Sequence, residues 1–211
     1  MGQGAAISKT DHAERALAIF AMCPHQLGGI WIRARASPAT DRVVLWLKHA
    51  LDQVRRVAPT IQDQDLFGGF DLGLALSSGT ITPSQGILDR PGTLLMPMAE
   101  RCPRRLAALL GAAIDDGTHA VVALDEGASA EELPPFGLTE RLGLFLDVSH
   151  LHTLEPTVSK AELEAAQNRL KTVHIGPDAL TELVVAASQL GISYARPPLK
   201  AVEIAKAHAA L

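Results

Sequence analysis

Residues 28–47, GGIWIRARASPATDRVVLWL, have the order of a buried strand, a loop and an amphipathic helix. Phosphate-binding loops of the form G-x-x-x-x-G-K-[S/T] lie at such junctions and need two glycines, a lysine and a hydroxyl group. Laid over that pattern, Ala34 and Ala39 stand where the glycines would be. Thr40 replaces the lysine and Asp41 replaces the hydroxyl residue. The layout is that of a phosphate-binding segment, but the residues that would hold phosphate are missing.

These replacements act against nucleotide binding in two ways. The aspartate places negative charge where a triphosphate would bind, and the methyl groups oppose the backbone torsions of a phosphate nest. We therefore expect this chain to bind ATP weakly or not at all. The stretch taken alone is also compatible with an ordinary strand and helix joined by an arbitrary loop, because short motifs often match by chance. The rest of the chain reverses that preference.

The bulk properties limit the functional class. With 211 residues, 47% of them hydrophobic, the chain suits one domain or a domain with a small appendage. A net charge of −4 argues against nucleic acid or an anionic membrane as the main partner. Cys23 and Cys102 lack metal-ligand or disulfide spacing, so we expect buried apolar side chains and no metal site. Since neither a secretory signal nor a membrane-length apolar run occurs, we expect a cytoplasmic location.

Strands alternate with helices over the first three quarters of the chain. This pattern predicts an α/β fold with a parallel sheet covered on both faces. After Thr153 only helices are predicted, so we divide the chain into a core at 1–153 and a helical lid at 154–211. The predicted strands are 30–34, 92–98, 119–124 and the end of 137–148; the predicted helices are 12–22, capped by Asp11, then 41–51, 71–78, 101–116, the start of 137–148, 159–170, 177–190 and 197–211.

From about residue 13 onward the chain resembles the N-terminal AAA+ module of the magnesium chelatase D subunit, from the enzyme that inserts magnesium into protoporphyrin IX. The resemblance rests on GGIWIRARASPATDR, DLFGGFDL, LLMPMAER, VVALDEGASAEELPP and LTERLG. It implies an AAA+ P-loop-type parallel sheet flanked by helices and followed by a small helical lid. It also implies a decayed nucleotide site, which D subunits commonly carry.

The resemblance further implies partners and a pathway. The partners would be the ATPase I subunit, in a ring assembly, and the large porphyrin-binding H subunit. The complex would use ATP and Mg²⁺ in chlorophyll or bacteriochlorophyll biosynthesis, with no cofactor held by this chain. Because a complete D subunit continues into an integrin-like domain and this chain stops at Leu211 within a predicted helix, we expect it to be a fragment.

A second catalytic position is also empty. In an active relative a hydrophobic strand ends in Asp-Glu, which helps to hold magnesium and polarises the attacking water. Here GTLLMPM puts Pro97 and Met98 at those places. VVALDE also ends in an acidic pair, but the resemblance assigns Asp125 and Glu126 to the next strand, so we interpret them as structural or interfacial.

Two arginines are the remaining site candidates. Arg141 in LTERLG matches the arginine of an Asp-Arg-Phe motif that reaches into the neighbouring subunit as a finger, although Leu142 replaces the phenylalanine. The alternative is an exposed arginine paired with Glu140 or Glu132. Arg196 in SYARPPLK lies where AAA+ lids carry a second nucleotide-sensing arginine, or it is a helix-start arginine without a role. The family's later arginine of that helix is Glu203 here.

Three functional hypotheses follow. The first is a non-hydrolysing AAA+ module that couples the I subunit's ATP turnover to magnesium insertion. The second is an inactive AAA+ or MoxR-like scaffold of another complex. The third is a small α/β enzyme that uses Asp125 and Glu126, for which the sequence supplies no nucleophile or cofactor site. We interpret the histidines His150 and His152 as linker residues, and Trp31 and Trp46 as packing residues.

Overall fold

A computed structural model describes residues 9–70, 73, 83–151 and 154–211. Its main feature is a five-stranded parallel sheet, whose strands are β1 (Gly29–Arg33), β2 (Val54–Arg56), β5 (Gly92–Met96), β6 (His119–Asp125) and β7 (Leu144–Asp147). The strand order in this sheet is β2-β5-β6-β1-β7. A separate antiparallel pair joins β3 (Gly69–Phe70) to β4 (Pro83–Ser84). The parallel sheet with flanking helices confirms the predicted α/β fold class.

Helices precede, connect and follow these strands. Those of the core are α1 (Lys9–Met22), α2 (Pro24–Leu27), α3 (Pro38–Ala50), α4 (Asp63–Phe67), α5 (Arg104–Asp115) and α6 (Phe136–Thr139). The final three are α7 (Lys160–Leu170), α8 (Pro177–Gln189) and α9 (Arg196–Ala210). The helix predicted at 71–78 lies outside the described residues except for position 73. The predicted boundary between core and lid follows Thr153, which is also outside the described residues.

Each face of the sheet is covered by its own hydrophobic cluster. One cluster joins the sheet to α1, α3 and the final helices, with Phe20, Ile32 and Leu163 among its buried members. The other joins the opposite face to α5 and α6, with Leu110 and Leu138 buried. Because Leu163 and Ala207 belong to the same cluster as β1, the final helices share a core with the sheet.

Several predicted boundaries need correction. Helix α1 begins at Lys9, so Asp11 lies in its first turn rather than at its cap. Helix α3 begins at Pro38 instead of residue 41, because the Ser37 side chain caps it. Strand β5 ends at Met96, since Pro97 cannot continue a hydrogen-bonded ladder. The sequence analysis also missed β2, whose residues Val-Arg-Arg show no strand pattern.

No helix among the described residues is long and apolar enough to cross a membrane.

Candidate functional site

The loop between β1 and α3 uses its own polar groups internally. Ser37 Oγ accepts the Thr40 N–H at 3.2 Å, and Thr40 Oγ1 donates to the Arg35 carbonyl at 2.8 Å. The Ala34 N–H donates to the Asp125 carbonyl at 2.9 Å, and Pro38 has no N–H. A phosphate nest needs backbone N–H groups that point into open space. Those of Ala34 and Thr40 are satisfied within the chain.

Three of the four side chains at the predicted loop positions are buried. Ala34 and Ala39 are buried at 2% exposure each, and Thr40 is buried at 7%. Asp41 alone of the four is exposed, so the charge at these four positions is negative, although the exposed Arg35 lies in the same loop. Position 40 therefore presents no side chain that could reach a phosphate.

The end of β5 carries no metal-binding group at the two predicted positions. Pro97 and Met98 follow the strand directly and are partly exposed. Met98 adopts the left-handed conformation, with φ 50° and ψ 48°, and this turns the chain into a short 3-10 segment at Ala99–Arg101. Neither side chain supplies an oxygen for Mg²⁺ or a base for water.

Asp125 is held as a structural group. Its carboxylate is buried and accepts hydrogen bonds from Trp31 Nε1 at 3.0 Å and the Gly127 N–H at 2.9 Å. The Arg33 Nε atom lies 3.9 Å from the same carboxylate. These bonds tie the end of β6 to β1, which leaves the acid little capacity for a metal.

Glu100 is a polar residue of this region that the sequence analysis missed. Its side chain is only 6% exposed, and its carboxylate accepts the Glu126 N–H at 3.0 Å. Its position shortly after the buried strand β5 is the signal that could have identified it, because such residues lie at the carboxyl edge of a parallel sheet. Its observed role is to join the segments that follow β5 and β6.

Arg141 is anchored to its own chain. Its Nε atom donates to Asp115 at 2.8 Å, and one terminal nitrogen donates to Glu140 and to the Gly137 carbonyl, each at 2.6 Å. The predicted pairing with Glu140 therefore occurs, whereas Glu132 instead accepts the Ala128 N–H. No hydrogen bond from the second terminal nitrogen of Arg141 is seen in the described part of the chain.

Arg196 meets the same two acids as Arg141. Its terminal nitrogens lie 3.4 Å from Asp115 and 3.6 Å from Glu140. The structure thus brings the two predicted arginines together, although they are far apart in sequence. It doesn't bring Arg196 to the loop at 34–41.

The arginine pair lies near the amino end of β1, and the loop at 34–41 follows its carboxyl end. Gly28, directly before β1, is so close to Arg141 that an added Cβ would be 2.6 Å from the Arg141 carbonyl oxygen. The loop at 34–41 begins where β1 ends. Five strand residues span about 13 to 17 Å, so neither arginine is at its own chain's loop.

A cleft of about 320 Å³ adjoins the arginine pair. Lys200 and Glu203 of α9 line it together with Asp115. The Lys200 ammonium donates to the Gln26 carbonyl at 2.6 Å, while burial and then the nearby Arg196 lower the pKa of Lys200. Glu203 forms an ion pair with Lys206 at 3.2 Å.

The two tryptophans and the two cysteines singled out from the sequence serve packing. Trp46 Nε1 donates to the Val158 carbonyl at 3.0 Å, and Trp31 lies 4.5 Å from Phe145 between ring centroids. Cys23 and Cys102 are free and buried, as predicted, and burial raises the pKa of Cys23 to about 12. His150 is exposed after β7, and His152 lies outside the described residues.

The parallel sheet, its two helical layers and the three final helices define an α/β fold of the AAA+ type. A solved structure from Cytophaga hutchinsonii, described as a candidate ATPase, has the same fold with a TM-score of 0.66. The two chains are 16% identical, and the match covers 95% of this chain and 75% of the other.

Over most of its length the chain is similar to magnesium-chelatase 60 kDa subunits. It is 45% identical to the one from Cereibacter sphaeroides over 203 residues and 37% identical to the one from Rhodobacter capsulatus over 209 residues. Each match covers 95% of this chain but only 36% and 37% of the relative, respectively, so the chain spans little more than a third of their length. No protein-family model matches the chain.

Proposed function

We propose that this chain is a non-hydrolysing AAA+ module of a magnesium chelatase. In this proposal it corresponds to the D subunit and assembles with the ATPase I subunit. It couples ATP hydrolysis by that subunit to Mg²⁺ insertion into protoporphyrin IX on the large porphyrin-binding subunit. The similarity to two magnesium-chelatase 60 kDa subunits supports the choice of enzyme.

The proposal rests on the difference between the two ends of the parallel strands. At the carboxyl ends the loop bonds to itself through Thr40, and Pro97 and Met98 replace the acidic pair. At the amino ends Arg141 and Arg196 lie side by side. A subunit that has lost its own nucleotide site but retains paired arginines is suited to act on a neighbour's nucleotide.

The chemical role follows from the guanidinium groups. In phosphoryl transfer an arginine supplied by a neighbouring subunit neutralises charge that develops on the γ-phosphate. Arg141 has a terminal nitrogen without a hydrogen bond in the described part of the chain, and its side chain is 21% exposed. In the proposal Arg141 approaches the neighbour's γ-phosphate, and Arg196 acts at the same site because it shares the same acids.

The first test is nucleotide binding by the chain alone. Titration with a fluorescent ATP analogue and Mg²⁺ should show no saturable binding up to about millimolar concentration, because the loop has no lysine and the N–H groups of Ala34 and Thr40 are bonded within the chain. The I subunit serves as the positive control. Micromolar affinity for this chain would contradict the loss of its nucleotide site.

The second test is the finger. We expect Arg141→Ala to leave assembly with the I subunit intact and to lower the ATPase turnover of the mixed complex at least about tenfold. Arg56→Ala is the matched control, because Arg56 is an exposed arginine of β2, which is the edge strand on the side of the sheet opposite β7. Unchanged turnover with Arg141→Ala would remove the finger role. Failure to co-purify with the I subunit would instead favour a scaffold of another complex.

A further inference from the structure

Two carboxylates each bridge the same two arginines. Asp115 binds Arg141 Nε through one oxygen at 2.8 Å and Arg196 through the other at 3.4 Å. Glu140 does the same, at 2.6 Å to Arg141 and 3.6 Å to Arg196. The four side chains therefore form a closed network in which the formal charges balance.

The network joins distant parts of the fold. Asp115 is the last residue of α5, Glu140 and Arg141 follow α6, and Arg196 is the first residue of α9. Movement of α9 relative to the core would stretch both contacts of Arg196. The positions of the two arginines are consequently coupled through the acids.

The packing around Arg141 supports a fixed position. A Cβ added at Gly111 of α5 would lie 3.0 Å from Arg141 Nε and 3.1 Å from its Cδ atom. Glycine at this buried position therefore lets the arginine lie flat against α5. Asp115, one helical turn after Gly111, accepts a hydrogen bond from Nε of the same guanidinium group.

We propose that Asp115 is a positioning residue that presents Arg141 and Arg196 as one unit to the nucleotide of a neighbouring ATPase subunit. This inference rests on the proposed function. Asp115 itself touches no substrate and acts through the arginines. An asparagine at 115 would keep one acceptor oxygen, but its amide nitrogen would face a guanidinium donor, so only one of the two arginines would stay bound to residue 115 and the other would be held by Glu140 alone.

The test compares Asp115→Asn with Asp116→Asn in the mixed complex with the I subunit. Both variants remove one negative charge from the end of α5, but Asp116 is exposed and forms no ion pair among the described residues. We expect Asp115→Asn to lower ATPase kcat at least about threefold with KM for Mg·ATP unchanged, because only transition-state contacts are displaced. We expect Asp116→Asn to match the wild type.

A background without either arginine separates positioning from general stability. If Asp115 acts through the arginines, Asp115→Asn adds no further loss when Arg141→Ala and Arg196→Ala are both present. Equal kcat for Asp115→Asn and the wild type would overturn the inference, as would a further loss from Asp115→Asn in that background. Should Asp115→Asn fail to assemble, Asp115→Glu carries the same test, because it retains the charge and shifts the carboxylate.

The outcomes distinguish this inference from the proposed function. Loss of turnover with Arg141→Ala but not with Asp115→Asn would overturn the positioning role and leave the finger in place. No loss with either variant would overturn both.

Discussion

At the residue scale, Asp125 at the end of β6 and Asp115 at the end of α5 have different surroundings. Asp125 looks like a catalytic acid in sequence, but it is buried and its oxygens accept hydrogen bonds from Trp31 and Gly127. Asp115 looks unremarkable in sequence, yet it binds both arginines. The sequence shows residue types and not partners, so the acidic pair of VVALDE draws attention to Asp125, whereas no sequence signal marks Asp115.

The structural role of Asp125 can be tested directly. We expect Asp125→Asn to lower the free energy of unfolding by about 1–3 kcal/mol, because an amide nitrogen would replace an acceptor for the Trp31 or Gly127 N–H group. Glu126→Gln, in the adjacent residue, should be near neutral. Urea unfolding measures both variants. Unchanged stability with Asp125→Asn, together with lost ATPase stimulation, would instead favour a catalytic role.

His119 should make stability depend on pH. It is buried at the start of β6, where Nε2 donates to the Arg90 carbonyl and Nδ1 lies 2.8 Å from Thr118 Oγ1. Burial, with smaller contributions from Arg55 and His25, lowers its pKa, although the bond to Arg90 opposes this. The folded state therefore favours neutral His119, and its contribution is present above the ordinary pKa of about 6.5 and lost as the pH falls below it.

The measurement is urea unfolding at about pH 7.5 and about pH 5.5. We expect His119→Asn to lose less stability than the wild type between these values, because asparagine does not titrate. His49→Asn serves as the control, since His49 is exposed on α3. A wild-type loss no larger than that of His119→Asn would show that His119 does not carry the effect.

At the element scale, the sequence predicts what periodicity and capping encode. The strands β1, β5 and β6 and the three final helices were predicted to within about two residues at most ends, because their apolar runs and flanking glycines are local signals. The edge strand β2 was missed because its Val-Arg-Arg sequence lies at one edge of the sheet and needs little apolar character. The arginine pair could not be predicted, since only the tertiary fold brings Arg141 to Arg196.

The start of α3 provides a prediction at this scale. Ser37 caps the helix through the Thr40 N–H, so we expect Ser37→Ala to lower the free energy of unfolding by about 1 kcal/mol. Ser188→Ala, at an exposed serine of α8, should change it by less than about 0.5 kcal/mol. Thermal and urea unfolding report both. An equal effect of the two substitutions would show that the cap does not stabilise α3.

At the scale of the whole molecule, the final helices are joined to the sheet by apolar and polar contacts. Leu163 and Ala166 of α7 are buried in the cluster that includes Ile32. Lys160 pairs with Asp52 at 2.9 Å, although this exposed pair contributes little by itself. Because the apolar cluster is continuous, the lid and the core should unfold together.

Leu163→Ala tests this coupling. The side chain is 2% exposed, so we expect a loss of about 2–5 kcal/mol in the free energy of unfolding, and the loss should extend to the sheet. Circular dichroism follows the helices, and in a Trp46→Phe background tryptophan fluorescence follows Trp31 beside Phe145. Both signals should shift to the same lower urea midpoint, while Leu190→Ala, at a leucine that is 77% exposed, should leave the midpoint almost unchanged. A helix signal that moves without the fluorescence signal would mean that the lid unfolds independently of the core.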